Sequence, residues 1–322
     1  MTETKLPVLV VMCGLQCSGK STKVKMLQEK YDAKVISTDI IREEFAEKDG
    51  CDDIFKVDKT LVFQTAYLRV NTFLKEGKNV IFDATNITIK SRRMMFQNVK
   101  QNCHKICYIL NTPISECRAR LQSRNKTGHF ILEEVLDEYY KSFEIPFYEE
   151  GWSEIIIDRI ISKEKSEEML ATLYKMCDGF DQKTKWHNKD LLGHQRTVQE
   201  FLKEKLNAET GGNLSESDSV MITSALYHDI GKLFTQTTDS EGQCHYYNHE
   251  NVGAYELLCG FSWYDGENCS VKKTLEMLFY INYHMKLFQA KTEKSIKKWK
   301  GIFSEKLYDR LKLFEEADKC RK

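Results

Sequence analysis

Residues 14–22 have the sequence GLQCSGKST, which fits the phosphate-binding pattern GxxxxGK[ST] at every fixed position. The stretch lies between an apolar run, LPVLVVMCG, and an amphipathic run, STKVKMLQEKY, which predict a buried strand and a helix. Glycines let backbone N–H groups close around an anion, and the start of a helix adds positive potential. A glycine-rich turn that matches by chance is the alternative. We expect an ATP or GTP site in which Lys20 holds the β- and γ-phosphates and Ser21 binds Mg²⁺, with further nucleotide contacts from Gly14, Ser18, Gly19 and Thr22.

The rest of the first half alternates short apolar runs with longer amphipathic ones. AKVIST, KNVIFDATN, HKICYILN and SEIIIDR predict further buried strands, and amphipathic stretches such as TAYLRVNTFLKEG predict the helices between them. Strands that alternate with helices indicate a parallel sheet with flanking helices, an α/β P-loop fold. After residue 180 the apolar residues recur with a period of 3.6, which predicts an all-helical second half. The expected domains are residues 1–180 and 181–322, with the boundary in CDGFDQK.

Composition narrows the class of protein. The chain has 322 residues, of which 41% are hydrophobic and 30% charged, so two globular domains are expected rather than a disordered chain. Its 48 basic and 48 acidic residues balance, which argues against a polybasic partner but permits a local basic groove. The eleven cysteines form no CxxC pair, the N-terminus lacks a signal peptide's features, and no apolar stretch approaches the roughly 18 residues of a membrane span. These features predict a reduced, cytoplasmic protein without a membrane partner.

Five charged side chains in the first half are candidates for the chemistry of the nucleotide. Asp39 follows the second strand, where a carboxylate can take a proton from an attacking hydroxyl, although it could instead cap the next helix. Arg42, one helical turn on, could hold a substrate phosphate. Asp83 closes VIFDATN and is expected either to face the phosphates and the waters of Mg²⁺ or to pin a turn. Arg120 and Arg124 share a helix face, which suits a lid over the transferring phosphate or a solvated basic surface.

The elements GLQCSGKST, STDIIR, VIFDATN and RLQSRNKTG, in this order, resemble the P-loop 5′-hydroxyl polynucleotide kinases of the phage type over residues 6–160. The resemblance implies that Asp39 is the general base and that Arg42 grips the phosphate beside the acceptor hydroxyl. It also implies that Arg124, and Arg120 by position, stabilise the transferring γ-phosphate of ATP. Thr127 stands in the lid loop where a basic residue is common in that family. The same P-loop group contains small-molecule kinases, so the acceptor stays open.

The second half concentrates side chains that bind metals. His228 and Asp229 lie in SALYHDIGK at the end of a predicted helix, and the following IGK is expected to supply a turn that lets both reach one ion. Taken singly, each histidine could instead be a core or capping residue. The full candidate set has only imidazole and carboxylate donors, which suits Mn²⁺, Fe, Co²⁺, Ni²⁺ or Mg²⁺. Its members lie on successive helical segments: His194, His228, Asp229, His249, His284 and Asp318.

The pattern KWHNKDLLGH…YHDIGK…HYYNHENVGA…NYH…EEADK, over about residues 183–320, resembles the HD phosphohydrolase superfamily, especially the HD domain of bacterial tRNA nucleotidyltransferases. The resemblance implies that His194, His228, Asp229 and Asp318 hold one metal. His249 and His284 would hold a second metal or grip the phosphate, and Lys232 would contact phosphate. His187 and His245 are weaker candidates for supporting roles. Metal-dependent hydrolysis of phosphate esters is the implied activity, although some members of the superfamily oxidise substrates at a di-iron centre.

The two resemblances suggest one function. A kinase supplies a 5′-phosphate and a phosphohydrolase opens a 2′,3′-cyclic ester or removes a terminal phosphate, so the expected enzyme heals broken nucleic-acid ends. Its partners would be RNA or DNA ends and a separate ligase; its cofactors would be ATP, Mg²⁺ and an ion such as Mn²⁺, Ni²⁺ or Co²⁺. Two alternatives stay open. The chain could be a small-molecule nucleoside or cofactor kinase joined to a nucleotide phosphohydrolase, or a nucleotide-sensing regulator.

Overall fold

The computed structural model describes residues 6–51, 53–126, 130–184, 188–262 and 270–320. Its first half is built on a five-stranded sheet in the order β2-β3-β1-β4-β5, with every neighbouring pair parallel. The apolar runs form these strands because a parallel sheet covered on both faces buries nearly every side chain. Val10, Met12, Ile81 and Ile106 lie in the core between sheet and helices. The strands are β1 Val8–Cys13, β2 Ala33–Ser37, β3 Asn79–Asp83, β4 His104–Ile109 and β5 Glu154–Ile157.

The helices between the strands start and end where local chemistry favours it. The Thr88 hydroxyl caps α4 in a reciprocal pair with Ser91, and Asp32 and Gly50 end α1 and α2 in the left-handed conformation. The helices of this half are α1 Lys20–Tyr31, α2 Thr38–Asp49, α3 Lys59–Lys75, α4 Ile89–Asn98, α5 Ile114–Arg124, α6 Glu133–Lys141 and α7 Lys163–Cys177.

The second half is helical, which together with the sheet confirms the predicted order of an α/β half followed by an α half. One feature was not predicted: a small antiparallel hairpin of β6 Gln236–Thr238 and β7 Cys244–Tyr246. The last helix is interrupted at Ser304, whose φ of 71° is not helical. The helices are α8 Leu191–Thr210, α9 Glu216–Ala225, α10 Lys232–Thr235, α11 His249–Phe261, α12 Val271–Tyr283 and α13 Glu293–Asp318.

The chain divides into two compact units. The sheet unit runs to Leu136 and also contains Gly151–Asp158, while the helical unit contains Asp137–Glu150 and the described chain from Arg159 onward. Helix α7 packs on α11 within the helical unit, and the Ser166 hydroxyl donates to the carbonyl of Gly260. Helix α7 belongs to the helical unit although it precedes the domain boundary predicted near residue 180. Which fragments of the chain fold on their own stays a prediction. Within the described ranges, no helix has both the length and the apolar character needed to cross a membrane.

Candidate active sites

The phosphate loop begins where β1 ends and is shaped by its glycines. The N–H of Gly14 donates to the carbonyl of Thr85 at 3.0 Å, and a Cβ at Gly14 would lie 3.0 Å from the Ser18 Oγ. Gly19 takes a φ of 93° and leads into α1, so the loop turns sharply just before the helix. The buried Ser18 Oγ has no hydrogen-bond partner among the described residues. Ser21 and Thr22 are exposed in the first turn of α1.

Lys20 is held at the mouth of this loop. Its Nζ donates to the carbonyls of Gly14 and Leu15, at 3.1 and 2.5 Å. Burial lowers the pKa of Lys20, while the carboxylates of Asp83 and Asp39 oppose that shift. Burial also raises the pKa of Asp83, against the attraction of Lys20. One cation and two carboxyl groups therefore interact at the carboxyl edge of the sheet, where substrates of open α/β folds bind.

Asp39 lies in the first turn of α2 and does not cap that helix. The cap of α2 is Ser37, whose hydroxyl accepts from the N–H groups of Asp39 and Ile40 at 3.3 and 3.5 Å. The Asp39 carboxylate is 66% exposed and accepts a 2.6 Å bond from Arg42 Nη1. The alternative interpretation as a capping residue is thus removed. A solvent-facing carboxylate paired with an arginine can receive a proton and leave the guanidinium near a bound phosphate.

The two lid candidates differ in placement. Arg120 Nη1 donates to the carbonyl of Cys17 at 3.3 Å, and Arg120 Nη2 forms an ion pair with the carboxylate of Glu116. Arg120 therefore contacts the phosphate loop itself, rather than standing apart on a solvated face. Arg124 is exposed at the end of α5. The tip of the proposed lid, which includes Thr127, lies outside the described residues.

In the helical unit, His194, His228, Asp229 and Asp318 converge, with one ligand atom from each lying within 4.8 Å of the others. The His194 Nε2 is 3.0 Å from Asp318 Oδ1 and 3.4 Å from Asp229 Oδ2. The His228 Nε2 is 3.3 Å from both of those oxygens. The four side chains come from α8, from the turn after α9 and from the end of α13, so the fold assembles a site from positions far apart in sequence.

A second trio shares Asp229 with the first group. His249 Nε2 and His284 Nε2 lie 3.1 and 3.7 Å from Asp229 Oδ1, and 3.2 Å from one another. His249 begins α11 and His284 directly follows α12. All six donors singled out in the sequence are therefore buried around one carboxylate.

The imidazoles are oriented with their Nε2 atoms towards the centre. The Nδ1 atoms of His228, His249 and His284 lie 2.8, 2.8 and 2.7 Å from backbone carbonyls three residues earlier. A carbonyl can only accept, so each Nδ1 is the donor, and in the neutral form of each ring Nε2 keeps its lone pair for a ligand. Among the described residues, His228 Nε2 makes no hydrogen bond although it is fully buried. This donor set of imidazoles and carboxylates, without a thiolate, fits a divalent ion such as Mn²⁺, Ni²⁺ or Co²⁺.

The charges of this cluster depend on one another. Burial opposes ionisation of Asp229 and Asp318. Lys232 and the neighbouring histidines nevertheless hold the pKa of Asp229 well below its usual value, and His194 and His228 do the same for Asp318. Burial alone would lower the pKa of His228, but the two aspartates raise it to about 10. Burial and the positive charges of His228 and His249 lower the pKa of His284 to about 3. Without a cation the carboxylates retain a proton on His228, and a divalent ion can take its place.

Position 231, two residues after Asp229, needs a glycine because the backbone packs closely there. A Cβ there would lie 1.9 Å from the carbonyl oxygen of His249 and 2.7 Å from the N of Gly253. The chain turns here as the sequence predicts, with the N–H of Ile230 donating to the carbonyl of Tyr227 at 3.2 Å, but Gly231 has an ordinary φ of −59°, so the turn does not depend on a left-handed glycine. Gly231 allows the chain before α10 to approach the start of α11, which brings Asp229 to His249.

A pocket of about 290 Å³ opens onto the cluster, with Asp229, His249, Asp318 and Lys232 in its lining. The buried Lys232 Nζ donates to Asp229 Oδ2 at 2.7 Å and to the side-chain oxygen of Gln182 at 2.8 Å. Lys232 therefore presents its charge beside the carboxylate that joins the two groups of ligands.

Sequence reasoning missed several lining residues because no motif marks them. The missed lining residues include Tyr246, Tyr247, Met285 and Phe288. Gln182, which contacts Lys232 rather than lining the pocket, was missed as well because it lies in the stretch predicted as a domain boundary. His245 lines the pocket but contacts Asp239, at 2.9 Å, rather than a ligand of the cluster. His187 lies outside the described residues.

Comparisons with known proteins cover the first half. Residues 9–146 match a family model described as an AAA domain. Over 118 residues the chain is 31% identical to the adenylate kinase of Elusimicrobium minutum, covering 34% of this chain and 54% of that one. Over 154 residues it is 27% identical to the L-seryl-tRNA(Sec) kinase of Methanococcus maripaludis, covering 45% and 56%. The chain thus spans about half the length of the curated relatives it matches. Together these matches identify a P-loop kinase domain.

Two solved structures show a weak similarity to this chain. The structure of the Pnkp1/Rnl/Hen1 RNA repair complex is similar at 23% identity and a TM-score of 0.37, over 42% of this chain and 43% of that one. A gluconokinase from Sinorhizobium meliloti is similar at 15% identity and a TM-score of 0.33, over 48% and 82%. TM-scores this low do not bear on function.

Proposed function

We propose that the protein is a bifunctional enzyme that heals nucleic-acid ends. The sheet unit would transfer the γ-phosphate of ATP to a 5′-hydroxyl, and the helical unit would hydrolyse a 2′,3′-cyclic or 3′-terminal phosphate. The observation that carries the proposal is that one chain holds a phosphate loop with Lys20 and, elsewhere in the chain, six imidazole and carboxylate side chains beside the buried Lys232. The two reactions together leave the ends that a separate ligase requires.

In the kinase reaction, Lys20 would leave the carbonyls of Gly14 and Leu15 and bind the phosphates. Asp39 would accept the proton of the attacking 5′-hydroxyl, and Arg42, only 2.6 Å from Asp39, would hold the neighbouring phosphate of the acceptor. Arg120, which already contacts the loop at Cys17, would offset charge on the transferring group together with Arg124. Ser21 would bind the Mg²⁺ that accompanies ATP, with Asp83 facing the same edge.

In the hydrolase reaction, His194, His228, Asp229 and Asp318 would hold a divalent ion, which polarises a phosphate ester when bound. His249 and His284 would bind a second ion or the substrate phosphate. Lys232 would place a positive charge against the phosphate oxygens. The side-chain oxygen of Gln182 accepts a 2.8 Å hydrogen bond from Lys232 Nζ and so keeps that ammonium group in position. The backbone carbonyls behind three imidazoles would fix the ring orientation, so that the site is ready before substrate arrives.

One relative supports a nucleic-acid substrate and another supports an alternative. The L-seryl-tRNA(Sec) kinase is named for an RNA-linked acceptor, which favours a polynucleotide. The adenylate kinase is named for a small one, and the balanced charge of 48 basic and 48 acidic residues suits a small acceptor. A small-molecule kinase joined to a nucleotide phosphohydrolase is therefore the second candidate.

A single assay separates these candidates. Labelled ATP is offered with 5′-hydroxyl oligonucleotides of RNA and of DNA, and in parallel with mononucleosides and AMP. We expect label on the oligonucleotides, lost in Asp39→Ala while that variant still binds ATP. Transfer only to the small acceptors would favour the second candidate, and full transfer by Asp39→Ala would remove this carboxylate from catalysis.

A further inference from the structure

The pocket above the metal cluster has an aromatic wall that the proposed hydrolase chemistry does not use. Tyr247 and His245 both line it, and their rings stack with centroids 5.7 Å apart and planes inclined by only 9°. Tyr247 is 69% exposed, so this large ring remains open to solvent instead of packing in the core. An exposed, oriented aromatic ring beside a charged pocket is a typical surface for stacking a planar ligand.

The stack is held in place by its own surroundings. The His245 Nε2 lies 2.9 Å from the carboxylate of Asp239, in the loop that joins the two strands of the hairpin. The N–H of Cys244 donates to the carbonyl of Lys183 at 3.0 Å, and the Tyr246 hydroxyl donates to the carbonyl of Gln182 at 2.6 Å. These bonds anchor the hairpin to the segment that also positions Lys232. The stack of His245 and Tyr247 therefore has a fixed position relative to Lys232, where we propose that the phosphate binds.

The chain path ties the stack directly to the metal-binding residues. Tyr247 precedes His249 by two positions, and between them Asn248 takes a left-handed conformation with a φ of 60°. This turn lets one short segment contribute a ring to the pocket and a ligand to the cluster. The pocket also holds Lys232 and Asp229, so its charged residues and its aromatic residues line one cavity of about 290 Å³. This volume lies near the lower end of the range for ligand pockets, about 300 Å³, and suits one small unit of a ligand.

We infer that the His245–Tyr247 stack is a nucleobase platform, on which the base of the terminal nucleotide lies while its phosphate reaches the metal cluster. The inference rests on the proposed hydrolase site and names its substrate class as nucleoside phosphates rather than simple phosphate esters. Every base has a π-face, so the platform accepts any base and gives affinity without sequence specificity. Tyr247 is a substrate-binding residue in this account, which favours ligands that carry a base over ligands that lack one, and the chemistry remains with the cluster.

The test measures binding separately from hydrolysis. Adenosine 3′-sulfate replaces the phosphate so that the ligand is not consumed, and ribose 3-sulfate serves as its base-free counterpart. Dissociation constants are measured by calorimetry on the full chain with Mn²⁺, with the phosphate loop filled by a non-hydrolysable ATP analogue. The variants are Tyr247→Ala, Tyr247→Phe, which keeps the ring, and Phe234→Ala, which removes a 44% exposed ring on α10.

We expect Tyr247→Ala to weaken adenosine 3′-sulfate by about 5- to 150-fold, the range for loss of one base–aromatic stack. Tyr247→Phe and Phe234→Ala should bind as the wild type, and ribose 3-sulfate should bind equally to all four proteins. Equal binding of adenosine 3′-sulfate to wild type and Tyr247→Ala, or no preference for it over ribose 3-sulfate, would overturn the platform. If Tyr247→Ala weakens binding but the wild type hydrolyses no nucleoside phosphate, the platform stands and the hydrolase proposal fails.

Discussion

The phosphate loop and the histidine–aspartate cluster, both of which we propose to bind phosphate, are built in opposite ways. Nine consecutive residues make the loop, whereas the cluster joins side chains as distant as His194 and Asp318, which are 124 positions apart. Asp39 at the loop is 66% exposed, but His228 and His284 in the cluster are fully buried. Local structure creates the first site, and the packing of the core creates the second. Substitutions in the loop should therefore reduce activity alone, while those around the cluster should also reduce stability.

The largest effect of this kind is expected for Gly231→Ala. The added Cβ would lie 1.9 Å from the backbone oxygen of His249, which side-chain movement cannot relieve. We expect the free energy of unfolding of the helical unit to fall by about 3 kcal/mol or more, at the upper end of overpacking effects. Chemical denaturation followed by circular dichroism measures the change.

Gly301→Ala is the matched control for that substitution. Gly301 lies in α13 with nothing within 4 Å of an added Cβ, so alanine should be neutral or should stabilise the helix by up to about 1 kcal/mol. If Gly231→Ala unfolds at the same denaturant concentration as Gly301→Ala, the close approach of the chain at α10 to α11 does not support the cluster.

Lys20→Ala tests the opposite behaviour at the loop. Its Nζ contacts only the carbonyls of Gly14 and Leu15 among the hydrogen bonds described, so its loss should leave the fold intact. Phosphoryl transfer should fall by about 10²–10³-fold or more, the usual effect of removing a group that stabilises developing charge. Initial rates with labelled ATP, alongside a melting curve, measure both quantities. A large drop in melting temperature would show that the loop is not separable from the core.

A smaller, pH-dependent effect on the free energy of unfolding is expected for Asp218→Asn, which removes the ion pair between Asp218 and Arg310 in the helical unit. Their atoms lie 2.9 Å apart, and although burial opposes it, Ser215 and Arg310 lower the pKa of Asp218. A carboxyl whose pKa is lower in the folded state stabilises the fold above the unfolded value of 3.8, and this stability is lost as the pH falls below that value. Asp218→Asn should cost about 1–3 kcal/mol at pH 7 and flatten the acid side of the stability curve.

Urea titrations of wild type and Asp218→Asn at pH 7 and pH 3 check this prediction. The gap between the two proteins should narrow at pH 3, since the unfolded wild type then takes up a proton on Asp218 that the folded state binds only at lower pH, and this favours unfolding of the wild type. A gap that stays constant with pH would mean that the charge of Asp218 contributes nothing and that the substitution acts through packing.

The contrast between local structure and core packing also decides how much of the fold could be predicted from the sequence. The five strands were predictable because buried parallel strands give continuous apolar runs, and the helical half because its apolar residues recur with the helical period. The hairpin of β6 and β7 gave no signal, since each strand has three residues and those of β6 are all exposed. Nor did any pattern mark Ser304, where the last helix is interrupted.

The two sites also differ in how far the sequence predicted them. A contiguous motif identified the phosphate loop, but spacing alone could not decide that Ser37, rather than Asp39, caps α2. The six donors of the cluster were proposed because imidazoles and carboxylates recur along the second half and resemble a known superfamily. Gln182 and Tyr247 were missed because their roles follow from three-dimensional contacts with Lys232 and His245, which no local pattern records.

The central claim is that one chain holds two separate sites for phosphate chemistry. The direct test measures both activities in the same preparations of wild type, Lys20→Ala and Asp229→Asn, with metal content determined for each. Asp229 contacts His194, His228, His249 and Lys232, so Asp229→Asn should lose bound metal and hydrolysis of 2′,3′-cyclic and 3′-terminal phosphates. It should keep the wild-type kinase rate, while Lys20→Ala should lose the kinase and keep the hydrolase. Wild-type hydrolysis by Asp229→Asn, or loss of both activities in either soluble variant, would contradict the account.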